Sequence, residues 1–209
     1  MTEITLYDYW RSSAAYRLRI AFNLAKLPFD SVSVDLVAGE HRGDENAARN
    51  PQRLVPTAVV DGQVLTQSLA VIEYLYDTGH YFFLPQDILG KHRVRALSYA
   101  IAMEIHPVCN LSVAKFASEN SGGNISMKSW MQHFIPKGFE GVEMMLHDAD
   151  TFCHGNNLTM ADCCLMPQMY NALRWEVDMT PFPKIMAKYT ALKDVPEIAA
   201  AHPDRFQPE

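Results

Sequence analysis

Apolar and polar positions in residues 1–80 alternate between strand-like and helix-like spacing. Residues 4–8 are predicted to form a short strand. Residues 12–26 carry apolar side chains on one helical face, at Leu18, Ala21, Phe22 and Ala25. Residues 32–36 then alternate apolar with polar side chains, which predicts a half-buried strand that contains Val32, Val34 and Leu36. The chain therefore begins with a strand, a helix and a second strand.

A hairpin and another helix complete this half. Residues 38–50 are polar and predict a loop with room for one helical turn. Two apolar runs flank the pair Asp61-Gly62, which favours a β-hairpin. Ser68 is a candidate N-cap for a helix that ends at Gly79. This order of elements indicates an α/β domain with a mixed sheet and helices packed on it.

The second half is predicted to be all-helical. Residues 81–88 form an apolar connector, which favours two tightly docked domains over a flexible linkage. One long helix is predicted over residues 89–118, bent at His106-Pro107 because proline removes a backbone hydrogen bond. Further helices are predicted over 127–148, from 156–162 to about 175, from Thr180-Pro181 and from Val195-Pro196.

Composition and charge exclude several classes of protein. The 209 residues are 48% hydrophobic and 20% charged, as in an ordinary globular protein. The net charge of −6, with dispersed basic residues, argues against a nucleic-acid partner. No apolar run approaches the ~18–20 residues that span a bilayer, and the N-terminus lacks the regions of a signal peptide. The histidines show no metal-binding spacing, so no metal is expected.

The four cysteines, Cys109, Cys153, Cys163 and Cys164, form no C-x-x-C pair. Cys163 and Cys164 are adjacent in a predicted helix, where neighbouring side chains point apart. A disulfide framework is therefore not expected, and the chain is predicted to be cytoplasmic.

Four separated segments carry motifs that occur together in one known family. They are residues 11–21 (Arg-Ser-Ser-Ala-Ala-Tyr-Arg-Leu-Arg-Ile-Ala), residues 50–57 with Val55-Pro56, residues 67–75 beginning Gln-Ser, and residues 155–174. In order and spacing they resemble the zeta-class glutathione transferases, which include the maleylacetoacetate isomerases. The match extends from residue 5 to about residue 205.

The resemblance implies a fold and an assembly. It implies a thioredoxin-like glutathione-binding domain over residues 1–80, a linker over 81–88, and an all-α domain over 89–209 that forms the co-substrate pocket. Members of the family are usually homodimers. The order of the predicted elements agrees with the two-domain part of this expectation.

The resemblance also implies an activity with glutathione as the cofactor. The expected reaction is cis–trans isomerisation of a maleyl dicarboxylate, maleylacetoacetate or maleylpyruvate, by reversible thiolate addition in aromatic amino acid or aromatic-acid breakdown. Two alternatives stay open. One is a transferase that conjugates glutathione to small electrophiles such as α-halo acids. The other is a non-catalytic glutathione-fold binding protein.

Ser12 and Ser13 are the predicted catalytic residues. They lie at the predicted start of the first helix, where hydroxyls and unpaired backbone N–H groups favour an anion. A free thiol has a pKa of about 8.5, so an enzyme that uses glutathione must favour its thiolate. By resemblance, Ser12 donates a hydrogen bond to the glutathione sulfur. The alternative is that these serines only cap the helix, and both roles can coexist.

The remaining glutathione contacts are assigned by resemblance to several segments. Val55 offers its backbone beside a cis peptide bond at Pro56, and Gln67 and Ser68 bind the γ-glutamyl end. His41 contacts the glycyl end, although an exposed loop histidine without a role is the alternative. The other residues, at the mouth of the pocket on the predicted long helix, are His106, Asn110 and Ser112.

Two arginines are the candidates for binding the substrate carboxylates. Arg174 matches the family arginine proposed for this role, and Arg11 precedes the two serines. The planar guanidinium group suits bidentate binding of a carboxylate. Without the resemblance, Arg174 would be interpreted as a surface arginine at a helix end.

One departure from the family pattern bears on the chemistry. Ala14 stands where the family signature has a cysteine. Alanine can form no mixed disulfide, which disfavours thiol–disulfide exchange and reductive dehalogenation but leaves isomerisation open. Leu54 is a smaller departure, where some relatives carry a polar residue. The pair Thr159 and Asp162 is predicted to be a capping box, with no part in the chemistry.

Overall fold

The computed structural model describes residues 2–208, which form two compact units. The first unit contains the chain up to Phe83 and again from Val195 onward. The second contains Leu84–Asp194. Each unit has its own buried core, built around residues such as Leu6 and Phe22 in the first and Phe139 and Met169 in the second.

The first unit is an α/β fold with a four-stranded sheet. Its N-terminal elements are β1 (Ile4–Asp8), α1 (Ser13–Leu24), β2 (Asp30–Ser33), α2 (Asp44–Arg49), β3 (Thr57–Val60), β4 (Gln63–Thr66) and α3 (Ser68–Asp77). The strand order is β2-β1-β3-β4, with β1 parallel to β2 and both other pairs antiparallel. The predicted mixed sheet is confirmed, and so is the hairpin. Its turn residues Asp61 and Gly62 have φ of 47° and 79°, as a tight hairpin turn requires.

The second strand was predicted two residues too late. It spans Asp30–Ser33 and is exposed throughout, whereas the prediction was a half-buried strand over residues 32–36. β2 is an edge strand that pairs only with β1, and the paired part of β1 ends at Asp8 opposite Ser33. Val34, which follows the strand, is the buried apolar residue of this stretch. Strand pairing therefore decided the bounds, and the apolar alternation did not.

The second unit is helical, as predicted. Its elements are α4 (Ile88–Tyr99), a π-helical segment (Ala100–Ile105), α5 (Leu111–Asn120), α6 (Met127–Met145), α7 (Met160–Arg174) and α8 (Pro183–Lys193). Among residues 2–208, no helix is both long and apolar enough to cross a membrane.

The single bent helix predicted over residues 89–118 is wrong. α4 widens into the π-helical segment, the chain turns at residues 106–109, and a separate helix begins after Asn110. Pro107 cannot donate a backbone hydrogen bond, and Asn110 caps the new helix by accepting from the Ser112 N–H at 3.1 Å. His106 and Asn110 therefore do not lie on one long helix, as had been predicted.

Two other helix starts test the capping predictions. The capping box of α7 is confirmed, because the Asp162 Oδ2 accepts from the Thr159 N–H at 2.7 Å and from its hydroxyl at 2.8 Å. The predicted start of α8 at Thr180-Pro181 is wrong. Asp178 holds Thr180 in a turn by accepting from its N–H at 3.0 Å, and Pro183 is the first helical residue.

The C-terminal residues pack on the first unit, whereas the prediction assigned all of residues 89–209 to the helical domain. α9 (Pro196–Ala200) lies against α1. The Asn23 side chain donates to the Glu197 carbonyl at 2.9 Å, and the Arg19 Nε donates to the Ala201 carbonyl at 3.2 Å. These contacts link residues more than 170 positions apart, which local sequence patterns do not report.

Candidate functional site

The sheet brings three predicted segments together at one end of its strands. Tyr7 in β1 lies opposite Thr57 in β3, and Thr57 lies opposite Thr66 in β4. The chain leaves β1 toward Ser12, enters β3 from Val55, and leaves β4 toward Gln67. These three segments therefore meet beside the same ends of adjacent strands.

Ser12 is the N-cap of α1. Its Oγ accepts a hydrogen bond from the Ala15 N–H at 3.2 Å, and its own N–H donates to the Tyr9 carbonyl at 2.7 Å. A serine hydroxyl has one donor and two acceptor positions, so this cap leaves the Ser12 O–H hydrogen available for another acceptor. Ser13 and Ala14 open the helix, where backbone N–H groups lack intrahelical acceptors and the helix dipole is positive. The capping role and the predicted donor role of Ser12 are therefore compatible.

Arg11 is exposed and lies beside an aromatic ring. Its Cζ is 4.0 Å from the centroid of the Trp10 ring. The Trp10 carbonyl accepts at 2.9 Å from the Nη2 of Arg19, a fully buried arginine that also forms an ion pair at 2.6 Å with Asp8. The turn before Ser12 is thus attached to the core, and Arg11 projects from it.

Val55 precedes the cis peptide bond at Pro56, which confirms the predicted isomer. Val55 is half-buried, and its backbone N–H and C=O have no hydrogen-bond partner among residues 2–208. An unpaired backbone donor and acceptor just before a strand can pair with the backbone of an extended peptide.

Two residues that the sequence prediction missed support this loop. Asn50, which is 2% exposed, accepts from the Gln52 N–H at 3.0 Å and donates to the Leu54 carbonyl at 3.1 Å. The Gln52 Oε1 in turn accepts from the Gln67 Nε2 at 2.7 Å. The Asn-Pro pair at positions 50–51 is a turn signal that could have indicated Asn50. No local signal indicates the bond between Gln52 and Gln67.

Ser68 was predicted to cap α3, and that prediction is wrong. The N-cap is Gln67, with φ 66° and ψ 104°, and it makes no capping hydrogen bond through its side chain. A positive φ is uncommon for a residue other than glycine and is typical of functional turns. Ser68 is the first helical residue and is 6% exposed. Its Oγ accepts from the Nη1 of the buried Arg17 at 3.2 Å, which connects the first helix to the start of α3.

His41 lies in a 3₁₀ turn over Glu40–Arg42 and is half-buried. Its carbonyl accepts from the Asn46 side chain at 2.9 Å. Burial, and to a lesser extent the Arg42 charge, lowers the pKa of His41 from its ordinary value. The imidazole is therefore neutral near pH 7 and can both donate and accept hydrogen bonds.

The second unit carries the other predicted residues. His106 ends the π-helical segment and is half-buried. The Asn110 Oδ1 accepts from both the N–H and the hydroxyl of Ser112, at 3.1 and 3.0 Å. The side-chain N–H groups of Asn110 have no acceptor among the described residues. Asn110 and Ser112 thus form one small polar group at the start of α5.

Arg174 is the last residue of α7 and is half-buried. Its Nη2 lies 3.4 Å from the Asn171 Oδ1, and its Cζ lies 4.7 Å from the centroid of the Trp175 ring. The side chain is thus held by its own helix and by the residue that ends the helix.

Comparison with known proteins identifies the family. The family models for the glutathione S-transferase N-terminal and C-terminal domains match residues 2–77 and 108–202. The chain is 50% identical over 210 residues to a maleylacetoacetate isomerase of Rhizobium meliloti (strain 1021), and the match covers 99% of each chain. A structure of maleyl pyruvate isomerase, described as a bacterial glutathione S-transferase in the zeta class, has 37% identity and a TM-score of 0.92, with 98% of this chain and 99% of that chain covered.

A second solved structure holds ligands. It is the maleylacetoacetate isomerase of Anaeromyxobacter dehalogenans 2CP-1 with bound dicarboxyethyl glutathione and citrate in the active site. It is 34% identical to this chain with a TM-score of 0.87, and the match covers 100% of this chain and 94% of that chain. The chain therefore belongs to the glutathione S-transferase family and, within it, to the zeta class that contains the maleylacetoacetate and maleylpyruvate isomerases.

Proposed function

We propose that this protein is a glutathione-dependent isomerase that converts a maleyl dicarboxylate, maleylacetoacetate or maleylpyruvate, from the cis to the trans isomer. The similarity to isomerases over the whole chain supports the reaction class. The observation that carries the proposal is the position of Ser12, an N-cap whose hydroxyl keeps a hydrogen to donate at the positive end of α1. Isomerisation needs a stabilised thiolate, and this arrangement favours one.

The residues at this end of the sheet fit glutathione, an extended tripeptide with two carboxylates, an ammonium group and a thiol. Val55 offers an unpaired backbone N–H and C=O, which suit the cysteinyl residue. α1 and α3 both begin at this end of the sheet, and their first N–H groups suit the thiolate and the γ-glutamyl carboxylate. Bound glutathione supplies a thiolate that adds reversibly to the double bond, so that the bond can rotate.

Ser12 and Ser13 favour the ionised thiol. The Ser12 hydroxyl donates a hydrogen bond, and the N–H groups of Ser13 and Ala14 add the field of the helix terminus. Because hydrogen bonds to an ionised group are stronger than those to a neutral one, these donors lower the thiol pKa.

Ser68 and Gln67 hold the γ-glutamyl end. Because the Arg17 guanidinium donates to the Ser68 Oγ, the Ser68 hydroxyl hydrogen points elsewhere and can donate to a carboxylate. The Gln67 Nε2 is engaged by Gln52, which leaves its Oε1 to accept from the ammonium group. His41 serves the glycyl end as a neutral donor.

We also assign three polar residues of the second unit to glutathione, namely His106, Asn110 and Ser112. The two hydrogen bonds from Ser112 orient the Asn110 amide. Arg11 and Arg174 bind the two substrate carboxylates through their guanidinium groups. Holding both ends of the substrate keeps the double bond next to the thiolate.

Ala14 favours isomerisation over chemistry that needs a protein thiol. It is the second residue of α1 and is half-buried, and its methyl group cannot be oxidised or alkylated. The four cysteines are all buried and none is in a disulfide. Free, buried cysteines fit a reducing compartment, so we propose a cytoplasmic location. From the similarity to the isomerases, we also propose a role in aromatic amino acid breakdown and a homodimeric assembly. Light scattering that gave the monomer mass would exclude the dimer.

One set of assays tests the proposal. Consumption of maleylacetoacetate, of maleylpyruvate and of an α-halo acid is followed with and without glutathione, for the wild type and for Arg174→Ala. Glutathione-dependent turnover of one substrate is expected. For R174A, the KM for the dicarboxylate should rise about tenfold or more, because a charge-assisted bond contributes about 1.5–3 kcal/mol. Turnover of α-halo acids alone would instead establish a conjugating transferase, and no turnover would reject the isomerase.

A further inference from the structure

Both arginines that the proposed function assigns to the substrate carboxylates lie over a neighbouring tryptophan. Arg11 lies over Trp10, with 4.0 Å from its Cζ to the ring centroid, and Arg174 lies over Trp175 at 4.7 Å. One pair precedes α1 in the first unit, and the other ends α7 in the second unit. The same local arrangement thus occurs twice, in unrelated parts of the chain.

The backbone of Trp10 is fixed by buried groups. Its carbonyl accepts at 2.9 Å from the Nη2 of Arg19, which is 0% exposed and also paired with Asp8. One residue earlier, the Tyr9 carbonyl accepts from the Ser12 N–H at 2.7 Å. The ring of Trp10 is therefore carried by a turn that is hydrogen-bonded on both sides.

The backbone of Trp175 is fixed in a comparable way. Its N–H donates to the Asn171 carbonyl at 3.2 Å, and its carbonyl accepts from the Gln132 Nε2 of α6 at 3.0 Å. The buried indole N–H of Trp175 has no hydrogen-bond partner among residues 2–208. A substitution of this ring consequently removes no hydrogen bond of the described chain.

Stacking restrains a guanidinium group without occupying its binding edge. The positive charge is attracted to the face of the indole, whereas a carboxylate binds the N–H groups in the guanidinium plane. A free arginine side chain has several rotatable bonds, and ordering them on binding reduces affinity. An arginine that is already held against a ring loses less freedom when the carboxylate arrives.

We infer that Trp10 and Trp175 are positioning residues, which hold Arg11 and Arg174 in the orientation that binds the carboxylates of the substrate. This inference rests on the proposed function. The two indoles thereby contribute to substrate affinity and specificity through the arginines, without contacting the substrate themselves.

The chain offers a matched control. Trp130 is also half-buried, but no cation lies over its ring among the described residues. Its ring packs against Phe134, and its indole N–H donates to the Val108 carbonyl at 2.9 Å. Substitution of Trp130 disturbs packing and a hydrogen bond, so it tests what a structural loss alone does to the kinetics.

The experiment compares Trp10→Leu, Trp175→Leu and Trp130→Leu with the wild type, with maleylacetoacetate and maleylpyruvate as substrates. Each of the first two variants should raise the KM for the dicarboxylate about two- to fivefold, because leucine offers no π face. The double variant W10L/W175L should raise it on the order of tenfold, since each ring acts on a different arginine. The KM for glutathione and kcat should stay within about twofold of the wild type, and W130L should leave the dicarboxylate KM unchanged.

A double-mutant comparison separates positioning from general packing. If Trp175 acts through Arg174, adding W175L to R174A should cause no further rise in the dicarboxylate KM. The inference is overturned if W175L and W10L leave the dicarboxylate KM unchanged while R174A raises it. It is also overturned if W175L raises that KM as much in the R174A variant as it does in the wild type. Should W175L not fold, the W10L variant with Arg11→Ala decides by the same criterion. A wild type without turnover would reject the proposed function itself, which is a different result.

Discussion

Replacement of Ser12 by alanine tests the proposed thiolate activation most directly. The substitution removes the hydroxyl donor but leaves the backbone of α1 and the N–H groups of Ser13 and Ala14 in place. A hydrogen bond to an ionised group contributes about 1.5–3 kcal/mol, and one pKa unit corresponds to about 1.4 kcal/mol. The pKa of the bound thiol should therefore rise by about one to two units, and kcat/KM near pH 7 should fall about 10- to 100-fold.

Ser12 is also the N-cap, so the same substitution affects stability. Its Oγ accepts from the Ala15 N–H, and loss of such a cap costs about 0.5–2 kcal/mol of the free energy of unfolding. Two further variants separate the roles. Ser12→Thr keeps a hydroxyl and a cap and should retain most of the activity. Ser12→Gly has no side-chain donor, and glycine is tolerated at an N-cap, so S12G should be nearly as stable as the wild type but as slow as S12A.

The assay is a titration of enzyme-bound glutathione by thiolate absorbance, together with the pH profile of kcat/KM. In the S12A variant both curves should shift to higher pH, and above the new pKa the activity should recover toward that of the wild type. Unfolding in urea measures the capping loss separately. Thiolate activation by Ser12 is refuted if S12A leaves the thiol pKa unchanged, or if S12G is as active as the wild type.

Three other predictions concern stability, thiol reactivity and pH. Asp162→Ala leaves the N–H and hydroxyl of Thr159 and the N–H of Cys153 buried without their carboxylate acceptor. The free energy of unfolding, measured in urea, should therefore fall by about 3–5 kcal/mol. A loss below about 1 kcal/mol would contradict this prediction. Burial raises the pKa of the Cys109 thiol to about 11, and all four cysteines are buried, so the native protein should react slowly with a thiol reagent. Ala14→Cys should add one fast-reacting thiol at a helix N-terminus. Fast labelling of the wild type would be inconsistent with buried thiols. The pKa of His41 is lower in the folded protein than in the unfolded chain, so on acidification the unfolded chain takes up the proton at a higher pH. The free energy of unfolding should therefore fall as the pH drops through about 6.5. His41→Gln should make this pH dependence shallower, and an unchanged slope would contradict the prediction.

Local signals in the sequence were sufficient for much of the fold. The hairpin at Asp61-Gly62 and the capping box of Thr159 and Asp162 depend on interactions within about four residues, and both are present in the structure. The same holds for Ser12, because a serine before an apolar helical face is an N-cap signal whatever else the chain does. The resemblance then gave these positions their predicted chemical roles.

Only the tertiary structure decided the features that depend on distant residues. β2 ends where its pairing with β1 ends, and the chain from Val195 onward packs on the first unit. The hydrogen bonds from Arg17 to Ser68 and from Gln67 to Gln52 span 51 and 15 positions, and no local pattern encodes them. Sequence periodicity reports which side of an element is apolar. It does not report which partner an element meets, because the partner is chosen by packing and pairing over the whole chain.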